Sequence, residues 1–471
     1  MEPWLLVGGG ACLTLLVGSV AYLGSPLHVF ILILALMAGS LILFKPELGL
    51  LSMLALIMFK PGFTQGAGLV TMLLLALTGV LAVTIAVRKQ LWFLRVHQVQ
   101  ILLLIGLVVA VNWLFVGRIE APSYLSKTDL TGRVIERTIF QLAFLIVFVS
   151  FIRTPRQLLM VTALFLAAIF LTIPGAVLHS ASAVQAAMGK VDKIRAAATI
   201  GLEVAENANY LAFIAVMGIS LIWFGLLEYR SKVLRMVGGL VILPLVLTVF
   251  LSGSRSGLLM LMILPLLLLF QSGLKRGQIV AFILFLVLSV SLSLIFVPER
   301  ILQRITSLSL ESESAQVSGS MGSLQRRLLM IQLGLKLFGE SPFIGMGIGN
   351  ARWLTALDPR SGGIPMTFHD SYLLTLAEGG VILLGAYLLL FWVTLRDLGK
   401  SLKLSALAPE IRLRWLVLAT RTNLILLLVF SIFAETWKEF YYLLILATAA
   451  VLSQLYQKAA EQSWIRSRSS M

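Results

Sequence analysis

The sequence predicts an all-α integral membrane protein, a polytopic bundle of about 12–14 transmembrane helices with one large loop on the outer side. Three observations predict it. Hydrophobic residues make up 59% of the 471 and charged residues only 12%, with a mean hydropathy of +0.99. A soluble domain carries roughly 25% charged residues, so this chain cannot coat a globule in water. The apolar residues also fall in runs long enough to cross a bilayer, and the basic residues sort to one side of those runs. Together these exclude a soluble enzyme, a disordered chain and a fibrous protein.

A span needs about 20 mostly apolar residues. Runs between polar breaks lie near 4–23, 27–44, 48–59, 68–87, 99–116, 134–152, 157–178, 208–227, 233–251, 256–271, 278–297, 371–395, 415–433 and 440–456. The run 48–59 is short and reads as re-entrant or tilted. Met1-Glu2-Pro3 lacks the basic start of a signal peptide, so the first run is read as a retained helix. With both termini placed inside, twenty of the 37 basic residues fall in inner linkers against six acidic ones, and these linkers carry nearly all of the net +16. That asymmetry is the positive-inside rule. The charge is thus an orientation signal, and nucleic acid is not an expected partner. Three outer linkers are long, about 117–133, 179–207 and 298–370. They divide the chain into N-terminal spans (1–133), central spans (134–297), the large outer loop (298–370) and C-terminal spans with an inner tail (371–471). No internal repeat is visible, which weighs against repeat-built transporters. The polar tail from Lys458 to Met471 is expected to fray.

Few residues are candidates for chemistry. Cys12 is the single cysteine and the four histidines are dispersed, so neither a disulfide nor a metal site is expected. Leu251-Ser252-Gly253-Ser254-Arg255-Ser256-Gly257-Leu258 breaks two hydrophobic runs with a turn that keeps Arg255 at the outer boundary. An arginine there snorkels, faces a polar cavity or meets an anion; the glycines and serines favour the anion. In the large loop, Arg300 and Arg304 share one helical face. A second amphipathic helix begins at Ser323, runs to about Phe338 and holds Arg326 and Arg327 in its first turns, with Ser320 or Ser323 as its N-cap. Cations oppose the dipole at a helix N-terminus, which suits a bound anion; a helix lying on lipid phosphates is the plainer alternative.

Gly345-Met346-Gly347-Ile348-Gly349 has nucleotide-loop spacing, but no strand precedes it and no Walker lysine follows, so it is read as a turn ending that helix. Phe368-His369-Asp370-Ser371-Tyr372-Leu373 sets His369 at the outer mouth of the span from 371, where an imidazole can act as a base near neutral pH. Asp370 can cap that span, and Glu378, about two turns into it, is expected to bond inside the bundle. No Asp-x-Asp occurs, which disfavours a metal-bound sugar nucleotide as donor.

From about Arg153 to Leu395 the chain resembles the O-antigen ligase and polymerase superfamily of bacterial membrane glycosyltransferases. The resemblance rests on Asn207-Ala208-Asn209-Tyr210-Leu211-Ala212, on Ser252-Gly253-Ser254-Arg255-Ser256-Gly257, on Arg326 and Arg327 before Ser341-Pro342-Phe343-Ile344-Gly345-Met346-Gly347, and on His369-Asp370-Ser371-Tyr372-Leu373. It implies transfer of a glycan from undecaprenyl diphosphate to an acceptor hydroxyl, of the lipid A-core type for a ligase, on the periplasmic side of the bacterial inner membrane. It further implies that Arg255, with Arg326 or Arg327, holds the diphosphate, and that His369 deprotonates the acceptor without a metal or other cofactor. The family often has Asn after the histidine, where this chain has Asp370; contact between Asp370 and His369 would raise the imidazole pKa. A polymerase with a lipid-linked glycan as acceptor is the alternative. A flippase or exporter of lipid-linked sugars is the second, and it would have no need of His369.

Overall fold

A computed structural model describes residues 45–59, 67–88, 91–116, 130–186, 207–228, 232–270, 276–297, 323–363, 365–366, 368–437 and 439–469. Fourteen α-helices lie among these residues: α1 (Pro46–Phe59), α2 (Ala67–Arg88), α3 (His97–Val116), α4 (Leu130–Phe151), α5 (Pro155–Ala186), α6 (Ala208–Glu228), α7 (Lys232–Leu251), α8 (Arg255–Leu269), α9 (Arg276–Phe296), α10 (Ser323–Glu340), α11 (Ala351–Leu357), α12 (Ser371–Leu404), α13 (Arg414–Phe430) and α14 (Phe440–Ser469). Seven of them are long and apolar enough to cross a membrane, and four shorter apolar helices accompany them. The protein is a polytopic all-α membrane protein. Each predicted run from 48 onward coincides with a described helix; the runs 4–23 and 27–44 lie outside the described residues.

The helices pack because their apolar faces exclude one another's lipid contacts and leave few polar atoms to satisfy. Helix α6 is the centre, buried along most of its length and packed on α7, α8 and α13. Phe213 of α6 stacks on Phe430 of α13 with centroids 4.5 Å apart, and the buried Ser220 hydroxyl donates to Asn423 Oδ1 at 2.6 Å. Helix α12 packs on α3, α14 and α10.

Two expectations are corrected. The tail does not fray at Lys458, because α14 continues to Ser469. Its Gln, Lys, Ala and Glu residues are good helix formers that need no buried face. The span from 371 does not stop at 395 but runs to Leu404, and it is interrupted: Gly380 has φ 63° and ψ −165°, which divides α12 into two helices.

Candidate functional site

The turn before α8 is built from its own serines. Gly253 takes the left-handed conformation (φ 58°). Ser254 is the N-cap, its hydroxyl accepting from Gly257 N at 3.1 Å, while its own N–H donates to Ser252 Oγ at 3.1 Å. Ser252 in turn donates to Val249 O. Both serines are fully buried, so their hydroxyls serve the turn, and Arg255, the exposed first residue of α8, is the group left facing outward. A Cβ on Gly257 would stand 2.3 Å from the Cβ of Ala212, so α8 meets the start of α6 at van der Waals distance there. That contact fixes where Arg255 projects.

Helix α10 carries Arg326 and Arg327 on its first turns, each with part of its side chain open and the Arg327 guanidinium partly shielded by protein. Burial depresses the Arg327 guanidinium pKa first, and the nearby positive charge of Arg255 depresses it further. The charge of Arg255, 72 positions away in sequence, thus reaches Arg327. Arg300 and Arg304 lie outside the described residues. One face of α10 forms a small core in which Leu329, Met330, Leu333 and Leu337 pack with Phe368, Leu373 and Ala377. Phe368 thereby ties the segment before α12 to the turn of α10 that follows the arginines.

His369 comes next, exposed, with φ 54°. A non-glycine residue in this region costs energy and persists only where its surroundings impose it, commonly at functional sites. Here Phe368 is held in the small core, and Asp370 is held as the N-cap of α12. Asp370 Oδ1 accepts from Tyr372 N at 2.8 Å and Leu373 N at 3.0 Å. Burial raises the Asp370 pKa, and these two hydrogen bonds partly counter it. Asn caps a helix as well as Asp does, which explains how either residue can follow the histidine.

The glycine-rich segment 341–350 does end α10, as expected, and it also completes α12. At the Gly380 break the helix loses its own ladder, and the loop supplies the missing partners. Met346 N donates to Ala377 O (2.8 Å) and Gly347 N to Glu378 O (3.1 Å), while Val381 N donates to Pro342 O (2.9 Å) and Ile382 N to Phe343 O (3.3 Å). The fit needs glycines: a Cβ on Gly345 would lie 2.3 Å from Glu378 C, and one on Gly380 2.2 Å from Phe343 O. Asn112 of α3 locks the joint, accepting from Ile348 N at 2.9 Å and donating to the carbonyls of Ile344 and Glu378. Glu378 itself is buried beside this joint.

The starts of α6, α8 and α12 gather at one end of the bundle. Tyr210 Oη donates to Glu435 O at 3.2 Å, Ser371 Oγ to Ala434 O at 2.9 Å, and Thr436 N to Ser371 Oγ at 2.8 Å, so the segment 431–437 joins α6 to α12. Gln141 of α4 donates to Trp437 O at 2.9 Å. The N-terminal ends of α6, α8 and α12 therefore lie at one end of the bundle, with Arg255 as the first residue of α8 and His369 just before α12, and positive helix ends suit an anion. Sequence reading missed Asn112, Gln141 and the buried Glu435. The one available signal was Gly379-Gly380 inside a span, a pair that breaks a helix unless something repairs it.

No curated protein matches the chain. Residues 240–388, from α7 to the middle of α12, match the family model described as O-antigen ligase. That stretch contains every candidate site residue, Arg255, Arg300, Arg304, Arg326, Arg327 and His369, and the match supports placing the chain in the O-antigen ligase and polymerase superfamily.

Proposed function

We propose that the protein is a membrane glycosyltransferase of the ligase type. It would pass a glycan from undecaprenyl diphosphate to an acceptor hydroxyl at the periplasmic face of a bacterial inner membrane. The observation that carries this reading is His369, held in a costly backbone conformation on a segment that packs through Phe368 against the helix bearing Arg327; the charge of Arg255 reaches that same arginine. Guanidinium groups pair bidentately with phosphate oxygens. Placed in advance, they stabilise the negative charge that grows on the diphosphate as the glycosidic C–O bond breaks. His369 takes the acceptor proton as the acceptor oxygen forms its bond to the anomeric carbon, and the diphosphate leaves with the bonding electron pair. The arginines perform the neutralisation for which other transferases use a divalent cation.

The test uses purified protein, an undecaprenyl-diphosphate-linked glycan and a panel of acceptors, with EDTA present. Transfer by the wild type, reduced about 10²–10⁴-fold in His369→Ala, is the expected result. A lipid A-core acceptor that works marks a ligase, and one that must itself be lipid-linked marks a polymerase. Binding of the donor with no transfer to any acceptor would replace the enzyme by a flippase.

A further inference from the structure

Helices α5, α6, α13 and α14 close around an internal cavity of about 30 Å³. Thr162 and Phe165 of α5, Met217 of α6, Thr420 and Asn423 of α13 and Thr448 of α14 belong to its wall. No residue of the wall is more than 8% exposed. The cavity therefore lies among the helices and is no part of the surface that the bundle turns to lipid.

A cavity walled only by apolar groups stays dry, but this wall is polar on three of its four helices. Asn423 Oδ1 accepts from the Ser220 hydroxyl at 2.6 Å, which leaves the Nδ2 amide as a donor. Thr162 Oγ1 donates to Leu158 O at 3.0 Å and keeps its own lone pairs. Thr172 and Thr394 also donate one turn back in this way. Thr420 and Thr448 do not: among the described residues no hydrogen bond engages either hydroxyl, nor the Asn423 amide nitrogen. Nor are these three atoms sealed in packed protein, as the Ser150 and Ser293 hydroxyls are. They open into the cavity whose wall they form.

A buried hydroxyl or amide without a partner costs free energy, and a small polar occupant removes that cost. Among the described residues no charged side chain lines the cavity, so a cation finds no counter-charge there. A water needs roughly 10–15 Å³ of such space and two to four polar partners. The cavity has room for two.

We infer that the cavity is a hydration site, holding one or two ordered waters that bridge Thr420, Asn423 and Thr448, with the Thr162 oxygen as a further acceptor. Asn423 Nδ2 donates to the water, and each threonine hydroxyl donates or accepts as the water requires. The bridge joins α5 and α14 to α13 where Ser220 already ties α13 to α6. Ser431, directly after α13, receives Ser371 N at 2.8 Å, so the helix gripped by these waters also carries the start of α12. The site stands whether or not the protein transfers a glycan.

The experiment measures the unfolding temperature of the full-length protein in detergent for Thr420→Val, Thr448→Val and the double variant. Valine keeps the shape of threonine and removes only the hydroxyl. Each single change should lower the temperature by about 1–2 °C, the shift that one lost hydrogen bond makes in a chain of this size. The double variant should fall little further, because either change breaks the same bridge. Temperatures that are unchanged or raised, or losses that simply add, overturn the site. An experimental density map of the wild type, sharp enough to resolve ordered water, decides the matter if a variant fails to fold. A peak within hydrogen-bond reach of both Thr420 Oγ1 and Thr448 Oγ1 is expected; ordered water elsewhere in the bundle and none here overturns the inference.

Discussion

Single side chains at the mouth divide into those that would touch substrate and those that hold them. Arg327→Ala, which removes the guanidinium that the Arg255 charge reaches, is expected to lower transfer about 10²–10³-fold, and Arg326→Ala only a few-fold; initial rates at saturating donor decide it. Arg255→Lys should recover little, because an ammonium lacks the bidentate fork. His369→Asn is the sharper partner to the alanine variant: Asn tolerates the left-handed conformation but is no base, so abundance should hold while transfer is lost. Asp370→Asn should keep the cap and near-normal thermal stability, and Asp370→Ala should cost about 1 kcal/mol. On the turn leading back toward the histidine, Arg360 holds the Asp358 carboxyl at about 2, below its ordinary 3.8. The contribution of that ion pair is complete above the ordinary value and is lost only as pH falls through about 2. The protection factor for amide exchange at Ser361, with the intrinsic pH dependence divided out, should therefore be unchanged down to roughly pH 4.

Helix contacts set the position of these groups. Gly257→Ala forces α8 away from α6 and, at about 1–3 kcal/mol of overpacking, should impair transfer more than abundance. The same change combined with Ala212→Gly should recover activity, since the clash is between those two Cβ positions; a double variant no better than the single would show that Arg255 placement does not depend on this contact. How far such contacts were legible beforehand varied by kind. Apolar runs announced the spans because bilayer thickness imposes a length, and the Ser-Gly-Ser-Arg-Ser-Gly turn announced itself by interrupting one. The pairing of the 341–350 loop with the α12 break did not, because it is made by backbone atoms that carry no residue signature, apart from the glycines that permit the approach. Nor does the sequence choose between Arg326 and Arg327, because adjacent residues on a helix differ only in the rotation of that helix.

Across the protein as a whole, the polar groups concentrate at the two ends of the bundle. Opposite the candidate site, the almost fully buried Asp397 of α12 meets His97 Nδ1 at 3.0 Å, Gln98 Nε2 at 3.3 Å and Arg396 Nη2 at 3.0 Å, which binds α12 to the start of α3. Asp397→Ala leaves the buried Gln98 amide without its acceptor, while His97 and Arg396 are partly open to solvent, and should destabilise the protein by about 1–3 kcal/mol, read as a lowered unfolding temperature in detergent. In the sequence Asp397 is one of the six acidic residues counted in the inner linkers, and a lone carboxylate near a span end gives no hint of three converging donors. The overall architecture was readable from hydropathy and charge; the burial of particular polar side chains depended on partners some 300 positions away.

The Asn112 joint has a consequence in time. Its partners Ile344 and Glu378 follow it by 232 and 266 positions. At roughly 5–20 residues per second of synthesis, Asn112 must wait on the order of ten to fifty seconds in the membrane before they exist. During that interval a polar amide sits in an apolar helix with nothing to hold it. The half-made protein is thus most vulnerable to disposal between the emergence of α3 and that of α12, and slowing translation in that window should lower yield far more than slowing it after Leu404.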